Sequence, residues 1–475
     1  GEEVAVSGWV ANWRDHGGLV FIDLRDRTGV VQVVFNPEEN ADLHARASEL
    51  RSEYCVSVRG TVAERPEGMQ NPDLATGKIE VRSGELEVHG TSEPPAFDVD
   101  NPGEVSLEAR LRNRFLDLRR PEIFNVFKAR HRMLQITRSH FDGEGFLEVE
   151  TPYLTKSTPE GARDYLVPSR TVPGSFFALP QSPQLMKQIL MIGGFDRYFQ
   201  IVKCFRDEDV RASRQPEFTQ IDMEMSFADE NDVMGVTEGL MARLFDEILG
   251  LQISRPLPKI NYHEAFDRFG TDAPDLRYGL EIGDISDIAA DCEFRVFRKA
   301  VETGGAVRGI CVPHGAELTR SEIDGLIEWI KQFELPGLAW FKWQDGKAQG
   351  GVSKFFSEGE ISSMLETFDA EDGSLLLFAA ARRKTSDGAL ARLREHLAEK
   401  LDLIPDDSYE LCWVVEAPAF ETLKEDDTLT FPHHPFTAPY AEDVELLEER
   451  PTEARTRSYD LVLNGAELGG GSVRT

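Results

Sequence analysis

Apolar and polar residues alternate in short stretches over the first 95 residues, and this pattern is the first guide to the fold. Val4–Val10, Leu19–Leu24, Val30–Phe35, Tyr54–Gly60 and Lys78–Val81 show partial period-two patterning and are separated by Gly, Asp and Pro, which predicts five strands. Ala41–Arg51, between the third and fourth strands, reads as a helix. Five strands with one helix after the third match a small Greek-key barrel of the oligonucleotide-binding kind, although other small barrels fit the pattern nearly as well.

The Pro- and acid-rich stretch Glu93–Pro102 then marks a linker, and the period changes after it. Ile123, Val126, Phe127, Met133, Leu134, Ile136 and Phe141 form a helical stripe, predicting a helix over Pro121–Gly145. A strand Phe146–Glu150 follows and ends at Thr151-Pro152. Strands are expected around Tyr165–Pro168 and Phe176–Leu179, with a helix over Pro183–Ile192. Two further strands, Arg197–Arg206 and Glu217–Ser226, flank a charged, Arg-rich loop. Residues 275–405 have another character: strands at Phe294–Phe297 and Val307–Val312, a helix Ser321–Glu334 and a hairpin-like Gly337–Gln349. They lack the polar clusters described below and read as an insertion, after which the strand Leu411–Glu416 resumes the earlier style. The expectation is a multidomain α+β chain. It has a barrel (1–95), a linker (96–120), a central domain in two parts (121–274 and 406–475) and an inserted α/β domain (275–405).

The longest unbroken apolar run is the seven residues Leu375–Ala381, far short of the ~20 needed to span a bilayer. The start, Gly1-Glu-Glu-Val, does not resemble a signal peptide, so the expected location is cytoplasmic, with no membrane partner. Asp and Glu number 84 against 52 Lys and Arg, a formal charge of −32, which excludes a surface that is basic all over. Within this acidic chain, Glu108–Arg138 carries nine basic and three acidic residues. The acid excess fits either a salt-adapted organism or ordinary solubility. The five cysteines are scattered without a CxxC pair, which suggests neither a disulfide framework nor a zinc site and leaves them as small buried apolar residues.

Four polar clusters carry candidate chemistry. Ser157–Arg163 is a loop with a carboxylate and an arginine; alone, it is equally a surface turn. Gln181–Lys187 opens a helix on which Gln184 and Lys187, three apart, share a face. In the third cluster, Phe205–Asp209 precedes Gln215–Glu224, where Phe218, Gln220, Asp222 and Glu224 fall on one side of a strand. Three polar groups there need partners, so a lined cleft fits better than core packing. Arg206 beside Asp207 and Glu208 offers phosphate recognition and metal coordination together. The fourth, Asn464–Arg474, has three consecutive glycines that permit close backbone approach, by a ligand or by neighbouring chain. The adjacent His433 and His434 point apart, and no third ligand suggests a metal there.

Taken in order, these clusters resemble the class II aminoacyl-tRNA synthetases, and closely the bacterial aspartyl type, over essentially the whole chain. Phe146–Pro152 resembles the first motif of that class, which builds a homodimer interface, and Phe205–Glu224 resembles the second. Gln181-Ser-Pro-Gln184, Thr158–Asp164, His433–Thr437 and Glu467–Arg474 resemble stretches specific to the aspartate branch, and 275–405 resembles the insertion of the bacterial enzymes.

The resemblance implies an antiparallel-sheet catalytic domain and an ATP- and Mg²⁺-dependent ligase that charges tRNA(Asp) with L-aspartate through an adenylate. It implies that Arg206 binds the substrate carboxylate and α-phosphate, and that Lys187 and Arg474 take the aspartate side chain. Ser182, Gln184 and Asp222 would position the amino acid, with Glu160, His433 and His434 around the pocket. Asp207, Gln215 and Phe218 would contact ATP, and Glu208 and Glu467 would hold Mg²⁺. On the barrel, Phe21 would stack on an anticodon base, with Arg14, His16, Gln32, Arg51, Arg65 and Glu80 as readers; Phe21 as barrel core is the bland alternative. His16 resembles the residue of enzymes that charge tRNA(Asn) as well. The third motif of the class, expected after Arg474, does not follow before Thr475, which reads as a fragment of a longer chain. A non-catalytic tRNA-binding paralogue, or an asparaginyl- or lysyl-specific relative, are the competing readings.

Overall fold

The structure is a computed structural model of the 475-residue chain and describes all residues except 101, 102, 104, 159, 160, 210–213 and 423–427. The contacts divide it into two compact units, Gly1–Gln135 and Ile136–Thr475.

The first unit holds a closed five-stranded barrel, β1 (Glu3–His16), β2 (Leu19–Arg25), β3 (Val30–Phe35), β4 (Cys55–Glu64) and β5 (Ile79–Gly90), in the order β1-β2-β3-β5-β4. The helix Ala41–Ser48 follows β3; Asn40 caps it by accepting from Leu43 N, and the Trp13 indole N–H donates to Ala47 O at 3.0 Å. Inward residues of all five strands and the helix fill one core, among them Val10, Ile22, Phe35, Leu43, Val58 and Val81. β1 runs further than its hydrophobic pattern, past a bulge between Val10 and Asn12, and β5 continues to Gly90. Their outer faces are solvated, so polar residues there disguise the strands. Buried Arg25 joins the barrel to the following segment, with Nη2 donating to Glu53 at 2.6 Å and Nη1 to Asp100 at 2.6 Å. Arg119 also bonds Glu53 and lies over the Trp9 ring at 4.4 Å.

The helix Pro121–Gly143 leads into the second unit. There, the two-residue strand Leu147–Glu148 lies parallel to Arg197–Phe205, which pairs antiparallel with Glu217–Met225. A second sheet has the order Lys259–Asn261, Leu411–Val415, Ser458–Leu463, Ala466–Ser472. Between its first two strands the chain builds a five-stranded antiparallel sheet with Ser374–Ala381 at its centre. From Leu375 to Ala381 that strand is apolar because both faces are covered. Helices Arg320–Ile330 and Arg383–Lys400 contribute Ile323, Leu326, Leu390 and Leu397 to one face, and Phe297 and Met364 pack on the other.

One expected strand is a helix instead. Phe294–Phe297 begins the helix Arg295–Glu302, in which Phe297 is fully buried while Val296 is 55% exposed. Four residues are too few to separate period 2 from period 3.6, and the charges at 295, 298 and 299 fit the helical solvent face. Cys204, Cys292 and Cys412 are buried as expected; Cys55 and Cys311 are half-buried. Among the described residues, no helix is long and apolar enough to cross a membrane.

Arg394, 1% exposed, clamps the start of this inserted sheet region: its guanidinium donates to Leu280 O (2.7 Å), Gly279 O (2.6 Å) and Asp275 O (3.4 Å), between the Phe269 and Tyr278 rings. Arg394→Met strands these carbonyls and is expected to destabilise the region by about 3 kcal/mol. Hydrogen exchange checks this: the loss of protection should concentrate at 279–284 and 306–312, and unchanged exchange there would refute the clamp.

Candidate active site

The helix Gln184–Ile192 turns Gln184 and Lys187 inward, where both are buried. They meet the paired strands Arg197–Phe205 and Glu217–Met225, whose register sets Phe218 opposite Cys204, Asp222 opposite Gln200 and Glu224 opposite Tyr198. Lys187 Nζ lies 2.7 Å from Asp222 Oδ1 and 3.1 Å from Glu224 Oε2. Arg474 completes the group: Nε is 3.7 Å from Glu224 Oε1, Nη2 donates to Gln184 Oε1 at 3.2 Å, and Nη1 donates to Ser472 Oγ at 2.7 Å. Its guanidinium rests over the Phe436 ring at 4.9 Å. Gln184 Nε2, Asp222 Oδ2 and Arg474 Nε are buried without a hydrogen-bond partner in the protein. Two cations, two carboxylates and an amide therefore converge while one donor or acceptor on each of three residues is left open, an arrangement suited to a small zwitterion bearing an extra carboxylate.

Electrostatics set the charge states. Burial pushes the Lys187 ammonium down, but Asp222 and Glu224 outweigh it, so its pKa ends above the usual value and the cation persists. Burial raises the Asp222 carboxyl, with Glu224 adding to it and Lys187 opposing. The two histidines diverge. Burial lowers His433, but its hydrogen bond to Asp460 (Nε2 to Oδ2, 3.0 Å) and nearby Glu467 reverse the shift and raise it. His434, partly open to solvent and stacked on Phe436, is pushed down to about 4 by desolvation and by Arg474, His433, Arg206 and Lys187.

Arg206 lies over the Phe218 ring at 5.1 Å. Its backbone N–H donates to Pro216 O at 2.9 Å, and Asp207 N to Arg163 O at 3.0 Å, which ties the Ser157–Arg163 cluster to the third. Gln181 anchors the same loop by donating to Ala162 O and Asp164 Oδ1. Glu208 lies 3.9 Å from Arg214, and Arg214 is within electrostatic reach of Glu467. Burial, then Asp460, raise the Glu467 carboxyl, so a cation beside it would relieve repulsion. Among the described residues no group of three or more His, Cys, Asp or Glu is spaced to hold a metal. Ser182 is half-buried just before the helix, Gln215 is exposed, and Glu160 lies outside the described residues. Gly470 is explained by its neighbour strand, since a Cβ there would sit 1.8 Å from Asp460 Oδ1; beside it, Gly469 faces open space. Glu224, Tyr198, Gln181 and Asp460 had no assigned role from sequence; Glu224 gave a signal through its alternation with Asp222 and Gln181 as the start of the second cluster, whereas Tyr198 and Asp460 gave none.

In the first unit, Phe21 is half-buried between buried Val20 and Ile22, which places its ring outside the barrel core. Arg14 stands opposite Phe21 and donates to both oxygens of Asp23 (2.8 and 3.0 Å), a residue the sequence did not single out. Asp23 stands opposite Gln32, which donates to Glu80 at 3.1 Å. His16 is exposed at the end of β1. Arg65 is buried with Nη2 unpartnered and Nε on Ile79 O, whereas Arg51 caps Ser48 O and Leu50 O.

The split between the histidines is testable by NMR titration. His434 is expected to titrate near about 4 and His433 above the ordinary imidazole value. Asp460→Asn removes the group that holds the proton on His433 and should bring its midpoint below the ordinary value; an unmoved midpoint would refute the pairing.

Comparison with known proteins gives these features a family. Residues 106–475 match the family described as tRNA synthetases class II (D, K and N), and residues 4–93 match the OB-fold nucleic acid binding domain. Over 474 residues the chain is 52% identical to an aspartate–tRNA(Asp/Asn) ligase of Halothermothrix orenii, covering all of this chain and 80% of that protein. A Natranaerobius thermophilus protein of the same name is 50% identical, covering all of this chain and 81% of its own length. An aspartate–tRNA ligase of Clostridium perfringens is 47% identical, with 100% and 79% covered. Among solved structures, Entamoeba histolytica asparaginyl-tRNA synthetase in complex with asparaginyl-adenylate matches the fold with a TM-score of 0.55 at 16% identity, covering 100% of this chain and 81% of that one. The chain belongs to the class II aminoacyl-tRNA synthetases of the D, K and N group.

Proposed function

We propose that this chain is an aspartate–tRNA ligase, which activates L-aspartate with ATP and passes it to tRNA(Asp) and, as the names of its relatives suggest, to tRNA(Asn). The observation that carries the reading is buried Lys187 beside half-buried Arg474, both held by Glu224, with Arg474 Nε lacking a hydrogen-bond partner. Two cations suit a side-chain carboxylate, whereas a neutral amide brings one acceptor oxygen and no charge to set against them. Asp222 Oδ2 receives the substrate ammonium, Gln184 Nε2 offers its open N–H to a carboxylate oxygen, and Ser182 helps to position the amino acid. Arg206 holds the α-carboxylate and the α-phosphate. The carboxylate oxygen attacks the α-phosphorus in line as the bond to pyrophosphate breaks, and Arg206 stabilises the charge on the phosphoryl oxygens. The 3′-terminal ribose hydroxyl of tRNA then attacks the adenylate carbonyl and AMP leaves. Phe218, with Gln215 and Asp207, holds ATP, and His433 and His434 border the amino-acid pocket, to which Glu160 is assigned by its family motif alone.

Glu208 and Glu467 supply hard carboxylate oxygens of the kind Mg²⁺ takes together with phosphates, and the raised Glu467 carboxyl fits a cation there. The metal, when bound, neutralises phosphate charge. On the barrel, Phe21 supplies a stacking face, with Arg14, Asp23, Gln32 and Glu80 in a row of hydrogen-bonding groups, and His16, Arg51 and Arg65 are further candidate readers. A homodimer through the Phe146–Pro152 region is supported by exposed Leu147, Tyr153 and Leu154.

ATP–pyrophosphate exchange tests the reading: aspartate should drive it, whereas asparagine and lysine should not. Arg474→Lys is expected to lower kcat/KM for aspartate roughly hundred-fold by losing the planar fork. Exchange driven by another amino acid, or none at all, would overturn the assignment. Phe21→Ala should raise KM for tRNA by about ten-fold or more and leave exchange unaltered, as loss of one stacked base predicts.

A further inference from the structure

On the outer face of the barrel one carboxylate is buried where a solvated residue would cost less. Along β2, Val20, Ile22 and Leu24 enter the core, so Phe21, Asp23 and Arg25 face outward. Asp23 is nevertheless only 7% exposed. A carboxylate so far withdrawn from water needs a partner. Its partner is Arg14 on β1, whose Nη2 donates to Oδ1 at 2.8 Å and to Oδ2 at 3.0 Å. In the strand register Arg14 stands opposite Phe21, and Asp23 stands opposite Asn12 on one side and Gln32 on the other.

The pair is lopsided, and that separates it from a structural tie. Arg25, on the same face of β2 as Asp23, shows what a structural arginine looks like in this barrel. It is buried, and its two Nη nitrogens are taken by Asp100 and Glu53, each at 2.6 Å. Arg14 instead keeps 53% of its side chain exposed and spends one nitrogen on Asp23, while its Nε and Nη1 hold no hydrogen bond to the described residues. Three N–H groups of a tethered guanidinium are thus left for a ligand. An ion pair with so exposed a partner adds little to stability, so stability alone does not account for burying Asp23. An arginine held before its ligand arrives loses less side-chain freedom on binding. Gln32, beside Asp23, is held in a similar way by Glu80, which is 6% exposed and accepts from it at 3.1 Å.

We propose that Asp23 is a positioning residue whose buried carboxylate holds the Arg14 guanidinium next to Phe21, ready to donate to the edge of a single-stranded base. The inference rests on the reading that this face of the barrel takes the anticodon bases of tRNA. A base stacked on an aromatic ring turns its hydrogen-bonding edge toward the ring's neighbours. Arg14 is that neighbour across the β1–β2 ladder, and Asp23 lies too deep to meet a base itself.

The test is a double-mutant cycle in the full-length enzyme, read as KM for tRNA(Asp) in aspartylation. Arg14→Ala and Asp23→Ala should each raise that KM by about ten-fold, with the change in KM rather than in kcat. The double variant should be no worse than Arg14→Ala alone, because Asp23 acts through Arg14. Asp23→Asn keeps the volume and removes the charge, so it should give a smaller rise in a barrel that packs as before. A barrel merely weakened by loss of Asp23 would add its penalty to that of Arg14→Ala, giving about a hundred-fold in the double variant, and would overturn the positioning role. So would a wild-type KM in Asp23→Ala where Arg14→Ala raises it. A wild-type KM in both Arg14→Ala and Phe21→Ala overturns instead the reading of this face as the anticodon site, and the inference with it.

Discussion

The Lys187 ammonium, 2.7 Å from Asp222 and 3.1 Å from Glu224, is the constraint on which the rest of the site depends. A buried cation is costly unless paired, and here one cation is shared by two carboxylates carried on alternate positions of a single strand. That spacing is possible only because the strand is regular from Phe218 to Glu224, and the regularity is imposed by its pairing with Arg197–Phe205. The second cation, Arg474, balances the second carboxylate from just beyond the last strand of the other sheet, Ala466–Ser472. The site is thus near neutrality before any ligand arrives. A ligand that is both cation and dianion can exchange with these internal partners without leaving a buried charge alone.

The barrel follows a similar rule with a different result. Its outer row joins Arg14 to Asp23 and Gln32 to Glu80, so the polar groups are paired in the absence of nucleic acid. Paired groups of this kind present edges for hydrogen bonding rather than a field for phosphates, which suits base reading in a chain of net charge −32.

Much of this was legible from sequence where local pattern and chemistry coincide. Period-two stretches marked all five barrel strands, though not the solvated ends of β1 and β5. The face shared by Gln184 and Lys187, and the alternation through Asp222, announced a lined cleft because polar groups at core-facing spacing need partners. What remained hidden depends on tertiary register. Tyr198 reads as one more apolar strand residue until its pairing with Glu224 is known. Asp460, which distinguishes His433 from His434, lies 27 positions from His433 in the chain. The strand expected at Phe294–Phe297 failed for a simpler reason, since so short a segment satisfies two periods at once.

The arrangement around the inserted sheet also bears on how the chain reaches this state. Lys259–Asn261 lies parallel beside Leu411–Val415, so two neighbouring strands of the candidate catalytic domain are separated by roughly 150 residues, a loop whose closure is entropically opposed. Arg394, near the end of that stretch, grips carbonyls at its beginning. Once folded, the insertion therefore presents its two ends close together, and the remaining gap is short. Assembly order follows from this: the insertion is best formed first, acting as a splint across which the second sheet closes, and the edges of that sheet spend less time open to other chains.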